Sequence, residues 1–233
     1  MTSTNRTLVI MAKAPRAGSV KTRLTENLSP EQATELYECL LNDTIALAKS
    51  LNQVEVAILC PESDADEMSR SVEEEVPVVA QKGRGLAAGL ISVFAHFTNS
   101  GHRRVIAFNS DSPHLPASVL ENAFDVLENS DLVVGPTHDG GYYLVGAKAS
   151  HPALFEDDGM STKSAFEALI ARAGMLWLST GFTEPFYDID VASDLTRLAA
   201  ELQLAPARAP RTAAWLKEWT GGAGHLHKSA GNL

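Results

Sequence analysis

Thr7-Leu-Val-Ile-Met-Ala12, followed by Lys13-Ala-Pro-Arg-Ala-Gly-Ser-Val-Lys-Thr-Arg23 and then Ser29-Pro-Glu-Gln32, is the stretch from which the fold can be read. The first run is apolar on both faces, as in a strand buried within a parallel sheet. The eleven residues after it are rich in Gly, Pro and basic side chains, which is loop chemistry. Ser29 then offers an N-cap, Pro30 the first helical position and Gln32 the returning partner of a capping box. Ala33, Leu36, Tyr37, Leu40, Leu41 and Ala48 recur at helical spacing and give that helix one core face.

Short apolar runs alternate with helical patterns along the chain, without internal repeats. Residues 54–60, 76–80, 104–108, 132–135, 142–145 and 175–178 read as strands, and 86–97, 116–127, 161–173 and 193–202 as helices. Alternation of this kind predicts a three-layer α/β/α fold around a mainly parallel sheet. Residues 1–204 read as one domain. Beyond them, 205–210 reads as a linker, 212–219 as a short helix and the end of the 205–233 segment as a flexible tail.

Composition narrows the class. The 233 residues carry 19 Lys+Arg against 29 Asp+Glu, a formal charge of −10, and 45% are hydrophobic. Such a chain has enough apolar surface for one large core, which excludes disorder. A net acidic protein is a poor general partner for nucleic acid or anionic membrane. Cys39 and Cys60 show no Cys-x-x-Cys spacing, which argues against a disulfide scaffold or structural zinc. No run approaches the ~20 apolar residues of a membrane span. The expectation is a soluble, cytoplasmic protein.

In an open α/β sheet, ligands bind beyond the carboxyl ends of the strands where strand order reverses, so the loops after the strands hold the candidates. The first loop carries Lys13, Arg16, Lys21 and Arg23 within eleven residues, and Gly18 permits close backbone approach. Several cations and backbone N–H groups there suit a polyphosphate. It is not a Walker A loop, because Val20 precedes Lys21. A solvated basic loop is the plainer alternative. After the fourth strand, Asn109-Ser-Asp-Ser-Pro-His-Leu-Pro116 presents Asp111, which could hold Mg²⁺ or Mn²⁺ against diphosphate oxygens or could cap a turn. His114 reads as an ordinary surface residue. Asp139-Gly140-Gly141-Tyr142 is first a hairpin signal, yet an acid beside aromatic faces could also shape a sugar or acceptor pocket. Asp188-Ile-Asp-Val-Ala-Ser-Asp-Leu195 places Asp188 and Asp190 before a helix that Ser193 or Asp194 could start. Asp190, with Asp188 as competitor, could complete a metal site with Asp111. Gly83-Arg-Gly-Leu-Ala-Ala88 fits a loose dinucleotide pattern but lacks its acid at the expected distance, and reads as a helix start bringing the Gly85 backbone to a nucleobase.

Together, Ala12-Lys-Ala-Pro-Arg-Ala-Gly-Ser-Val-Lys-Thr-Arg-Leu24, Asn109–Pro116, Asp139-Gly-Gly-Tyr-Tyr-Leu-Val-Gly146 and Asp188–Leu195 resemble the DUF2064 family. That family is glycosyltransferase-A-like, and its members are labelled transferase 1 of the radical-SAM/selenodomain-associated group. The resemblance runs from about residue 7 to 202. It implies the nucleotide-diphospho-sugar transferase fold, shared with 2-phospholactate and molybdenum cofactor guanylyltransferases. It further implies that Asp111 and Asp190 are the catalytic metal-binding acids and that Lys13, Lys21 and Arg23 hold phosphates. After the third strand the chain has Arg84-Gly-Leu-Ala-Ala-Gly-Leu90 in place of the family's acid and Arg-Met. That segment looks more like the Gly-Leu-x-Ala of guanylyl- and uridylyltransferases.

Three functions are carried forward. The first is Mg²⁺- or Mn²⁺-dependent glycosyl transfer from a nucleotide sugar to a small acceptor. The second is nucleotidyl transfer from a nucleoside triphosphate to a phosphorylated acceptor, with pyrophosphate leaving. The third is nucleotide binding without catalysis.

Overall fold

The computed structural model describes residues 5–73, 75–156 and 164–226. The strands are β1 (Arg6–Met11), β2 (Glu55–Pro61), β3 (Val78–Gln81), β4 (Arg104–Asn109), β5 (Leu132–Pro136), β6 (Tyr142–Ala147) and β7 (Thr180–Phe182). They make a single sheet in the order β3-β2-β1-β4-β6-β5-β7. β1 pairs in parallel with both β2 and β4, whereas β6 runs antiparallel between β4 and β5. The helices are α1 (Pro30–Lys49), α2 (Ala65–Ser71), α3 (Gly85–Asn99), α4 (Ala117–Asn129), α5 (Ala165–Met175), α6 (Ala192–Leu204) and α7 (Pro210–Leu226).

β1 shows why the layers form. Leu8, Val9 and Ile10 are fully buried, as expected of a strand covered on both faces. Leu8 and Ile10 join the cluster under α1 and α4, with Ile106, Phe108 and Phe124, while Val9 faces the opposite cluster under α3 and α5, with Phe94 and Leu169. Each such side chain contributes about 1.5–3 kcal/mol of transfer free energy. The capping box at α1 is formed: Gln32 N–H donates to Ser29 Oγ at 3.2 Å and Ser29 N–H to Gln32 Oε1 at 2.9 Å. The chain leaves β1 outward to β2 and β3, then returns through α3 to β4 on the other flank. Strand order therefore reverses at β1, and a crevice opens beyond the carboxyl ends of β1 and β4.

The structure corrects several expectations. Residues 175–178 are not a strand: Met175 ends α5, Leu178 N–H closes onto Ala173 O at 3.0 Å, and Trp177 sits in the turn at φ 57. β7 begins only at Thr180. Three apolar residues here serve a helix end, and Trp177 is left almost wholly exposed. α2 had no sequence signal of its own. The expected helix start at residues 161–163 lies outside the described residues.

The segment from 205 onward is also more tightly integrated than a linker and free tail. Pro206–Arg208 is a 3-10 turn, Ala209 is fully buried, and α7 packs on α1 and α6 through Leu216. The helix reaches Leu226, past the frayed end expected from Gly221, and residues 227–233 lie outside the described residues. The physical reason is a cap supplied from far away. Asp43 of α1 is buried and accepts Arg211 N–H at 3.2 Å, Thr212 N–H at 2.8 Å and Thr212 Oγ1–H at 2.8 Å. A carboxylate there satisfies the orphan donors of the α7 N-terminus and complements its dipole. Among the described residues no helix is long and apolar enough to cross a membrane.

Replacing Asp43 with Ala should lower the unfolding free energy by about 2 kcal/mol, since a helix cap and its hydrogen bonds are lost together. Urea denaturation checks this. Adding Thr212→Val to the Ala variant should cost much less than Thr212→Val alone, because the shared partner is already gone.

Candidate functional site

The crevice at the strand switch is a cleft of about 570 Å³, a size suited to a nucleotide. Lys13, Lys21, Arg23, Gly85, Asp111 and Asp190 all line it. The topology accounts for this convergence. The basic loop leaves β1, Asp111 follows β4, and the chain after β7 passes directly beside that turn. Ile189 N–H donates to Asp111 O at 3.3 Å and Ser112 Oγ–H to Tyr187 O at 3.0 Å, stitching two segments about eighty residues apart. Asp194 at the start of α6 accepts Asp190 N–H at 3.0 Å and Val191 N–H at 2.8 Å, so it fixes the backbone that presents Asp190.

The basic loop is anchored to the fold, although Lys13, Arg16 and Arg23 remain exposed. Tyr37 of α1 accepts Lys13 N–H at 3.0 Å and donates to Lys13 O at 3.2 Å. Burial, with the charge of Asp111 behind it, pushes the Tyr37 phenol up to about 12, so it remains a neutral anchor. Asp64 accepts Ala14 N–H at 3.0 Å and Arg16 Nη1–H at 2.9 Å. Arg16 also meets Glu67, so this fourth cation of the loop is spent on structure. Leu24 is fully buried beside α1 and α6, fixing the far end of the loop.

Lys21 is the residue whose surroundings differ most from expectation. It stands at φ 48, ψ 37, a left-handed conformation that a side chain bearing Cβ adopts at a cost of about 1–2 kcal/mol. Its side chain is 4% exposed, and Nζ lies 2.9 Å from Asp111 Oδ1, 3.5 Å from Asp190 Oδ1 and 2.5 Å from Ile189 O. The ammonium thus occupies the point between the two acids, not an open phosphate site. Burial opposes its charge, but Asp111 and then Asp190 outweigh that and hold its pKa above the ordinary lysine range. Arg23, largely exposed, meets Asp190 Oδ2 at 3.1 Å. Asp188 is half-buried beside them. Desolvation, with the charges of Asp190 and Asp111, pushes its carboxyl up to about 6.

The remaining candidates fall elsewhere. Gly18, at φ 76, shapes the turn closed by Ser19 N–H to Arg16 O and does not line the cleft. Asp139 accepts from Thr137 Oγ1 at 2.5 Å and Gly141 N–H at 3.3 Å, and Gly140 supplies the turn's positive φ of 92. Tyr142 begins β6 with its hydroxyl buried. The hairpin sits at the same sheet edge as Asp111, because β6 pairs antiparallel with β4, but it is not part of the cleft wall. Sequence reasoning missed Tyr37 and Gln81. Gln81 donates from Nε2 to Gly83 O at 3.0 Å and Gly85 O at 3.5 Å, so it shapes the α3 entry. Gly89 lets α3 approach, since a Cβ there would lie 2.7 Å from Met11 Cε.

The described residues contain no group of three His, Cys, Asp or Glu side chains placed as a ready metal cage. What they do contain is a pair of hard carboxylates converging on one cation. Mg²⁺ is commonly held by one or two carboxylates, with substrate phosphates and water completing its shell, so the donor set fits such an ion.

An open sheet with its cleft at the strand switch, walled by a basic loop and two acids, defines a protein of the nucleotide-diphospho-sugar transferase fold. A solved structure from Desulfovibrio desulfuricans G20, provisionally described as a nucleotide-diphospho-sugar transferase, superposes with a TM-score of 0.85 at 24% identity, over 92% of this chain and 94% of that one. A cytidylyltransferase from Leptospira borgpetersenii superposes with a TM-score of 0.55 at 11% identity, over 94% and 95% of the two chains. The chain belongs to the DUF2064 family, described as an uncharacterized protein conserved in bacteria, which it matches over residues 44–162. A curated relative, the 2-phospho-L-lactate guanylyltransferase of Methanocaldococcus jannaschii, is 26% identical over 153 residues, 66% of this chain and 65% of the relative.

His114, expected at the surface, is buried between Phe186 and Tyr187, with ring centroids 4.9 and 4.6 Å away. The loop after Asp111 folds back onto this aromatic pair. Neither ring nitrogen has a partner among the described residues, and burial lowers its pKa from 6.5 to about 4. Above pH 6.5 the imidazole is neutral in folded and unfolded chains alike. Below it, the unfolded chain takes a proton that the folded one refuses until about pH 4. This group should therefore remove about 3 kcal/mol of stability as the pH falls through that window. Urea titrations of wild type and His114→Leu at pH 7 and pH 4.5 should show a smaller pH loss in the variant.

Proposed function

We propose that the protein is a divalent-metal-dependent nucleotidyltransferase that passes a nucleoside monophosphate from a triphosphate to a small phosphorylated acceptor. The observation carrying this reading is the meeting, in one cleft, of exposed cations with the Asp111–Asp190 pair. Lys13 and Arg23 would bind the β- and γ-phosphates, and the backbone entering α3 at Gly85 would meet the base end of the nucleotide. Asp111 and Asp190 would hold Mg²⁺ or Mn²⁺. That ion, when bound, would offset charge building on the α-phosphate and the leaving pyrophosphate. Tyr37 would keep the loop fixed at Lys13, so that little reorganisation is needed as charge develops. An acceptor phosphate oxygen would attack the α-phosphorus, and the α–β bridging oxygen would leave on pyrophosphate.

The sequence alone leans toward glycosyl transfer. The guanylyltransferase relatives and cytidylyltransferase neighbour support the nucleotidyl reading instead. Glycosyl transfer remains the second reading, supported by the description of the Desulfovibrio neighbour. In either case Asp139-Gly140-Gly141-Tyr142, at the same sheet edge, is the candidate acceptor side.

Product analysis separates the two. Incubation with nucleoside triphosphates, Mn²⁺ and phosphorylated small acids should release pyrophosphate. Release of free nucleoside diphosphate from a nucleotide sugar would move the assignment to glycosyl transfer, and binding without turnover of either donor would make the protein a non-catalytic binder. Asp111→Asn and Asp190→Asn should each lower kcat by about a hundredfold or more, the scale of one lost electrostatic stabiliser.

Arg23→Ala should weaken nucleotide binding by about 1.5–3 kcal/mol, the loss of one charge-assisted contact. Calorimetric titration measures it, and unchanged affinity in both Arg23→Ala and Lys13→Ala would remove the loop from the site.

A further inference from the structure

We infer that Lys21 keeps the acid pair closed to a lone divalent cation and yields it only when a polyphosphate enters, so that metal binding is conditional on the anionic substrate. This rests on the functional reading above and deepens it.

The geometry carries the inference. Lys21 Nζ contacts Asp111 at 2.9 Å, Asp190 at 3.5 Å and the Ile189 carbonyl at 2.5 Å. Its three donors therefore have three acceptors, and its side chain is almost wholly covered. A divalent ion bridging the two carboxylates needs the same space. The two cations exclude one another. For a lone ion the exchange is unfavourable: it would strip a buried ammonium of its acceptors and gain only the carboxylates, since no group of three His, Cys, Asp or Glu side chains among the described residues is placed to hold a metal. A polyphosphate changes both sides of the exchange. Its oxygens complete the metal shell, and they offer the displaced ammonium new anionic acceptors.

The local backbone suits such a move. Lys21 is a non-glycine residue held in the left-handed region directly before the 3-10 turn Thr22–Glu26. Strain at one residue, stored where the surroundings over-determine it, is a feature of sites with two arrangements. The long lysine stem lets the charge travel without moving β1 or β4. Arg23 and Lys13 stay at the cleft wall, Arg23 with 71% of its side chain exposed, so an incoming anion meets them first.

Ion pairing between Mn²⁺ and protein can be followed by the melting temperature, because only native-state binding raises it. Mn²⁺ alone should leave wild type unchanged, whereas Mn²⁺ with inorganic pyrophosphate should raise it. Lys21→Met should bind Mn²⁺ alone about tenfold to a hundredfold more tightly than wild type, the usual range of a coupling between two ligands. Lys21→Arg, which keeps the charge, should stay as unresponsive to Mn²⁺ alone as wild type. Equal stabilisation of wild type by Mn²⁺ alone and by Mn²⁺ with pyrophosphate would overturn the inference, even if Lys21→Met does not fold. So would a folded Lys21→Met that gains no Mn²⁺ affinity. These arms use no nucleotide. Failure of the nucleotidyl reading would show instead as an absence of pyrophosphate release in the product assay.

Discussion

β1 is bonded on both flanks to parallel strands, and the chain can satisfy both only by building outward to β3 and then crossing back to β4. Parallel neighbours cannot be joined by a tight turn, so each connection is a helix or a long loop. The loop that leaves β1 toward one flank and the loop that follows β4 on the other part at the carboxyl end of β1, and the space between them is the cleft. Everything chemical follows from that parting. The basic loop exits β1 into the gap, Asp111 follows β4 beside it, and α3 enters from β3 on the other side. The antiparallel β6 then brings the Asp139 turn to the same edge, one strand further out.

Within the cleft the electrostatics are arranged around a deficit. Asp111, Asp188 and Asp190 converge where, among the described residues, Lys21 and Arg23 answer them, and Arg23 is mostly in water. Exposed pairs contribute less than about 1 kcal/mol, so Arg23 relieves little of the repulsion. The buried ammonium carries the balance. Breaking a buried pair by removing one partner costs about 3–5 kcal/mol, mostly because the surviving charges are left without an answer. The raised pKa of Asp188 registers the same crowding from the acid side. A site so organised has a standing demand for positive charge, and the identity of the cation that meets it is a matter of what else is bound.

Much of this was legible in the sequence because strand ends are. An apolar run followed by Lys13–Arg23, and another followed by Asp111, place their loops at one edge once the sheet is read as parallel. Asp190 reads the same way, although the strand expected before it at 175–178 lies instead at Thr180–Phe182. What the sequence could not show is pairing across the fold. Lys21 looks like a phosphate ligand until Ile189 and the two acids are set around it. Tyr37 looks like one more core residue of α1, and only the approach of β1 gives its hydroxyl the Lys13 backbone. His114 is polar by type and buried by context, since Phe186 and Tyr187 arrive from seventy residues later. Asp43 carries no local sign that its carboxylate caps anything.

That last contact sets a sequence of events in time. Asp43 lies on the first helix, and its partners Arg211 and Thr212 are 168 and 169 residues further on. A chain emerging from the ribosome has made α1, the whole sheet and the cleft edge before those partners exist. Until then the flank of α1 that receives α7 is wet and its carboxylate hydrated. α7 is consequently laid on after the sheet, and a chain halted before Thr212 would hold a finished cleft on an unfinished scaffold.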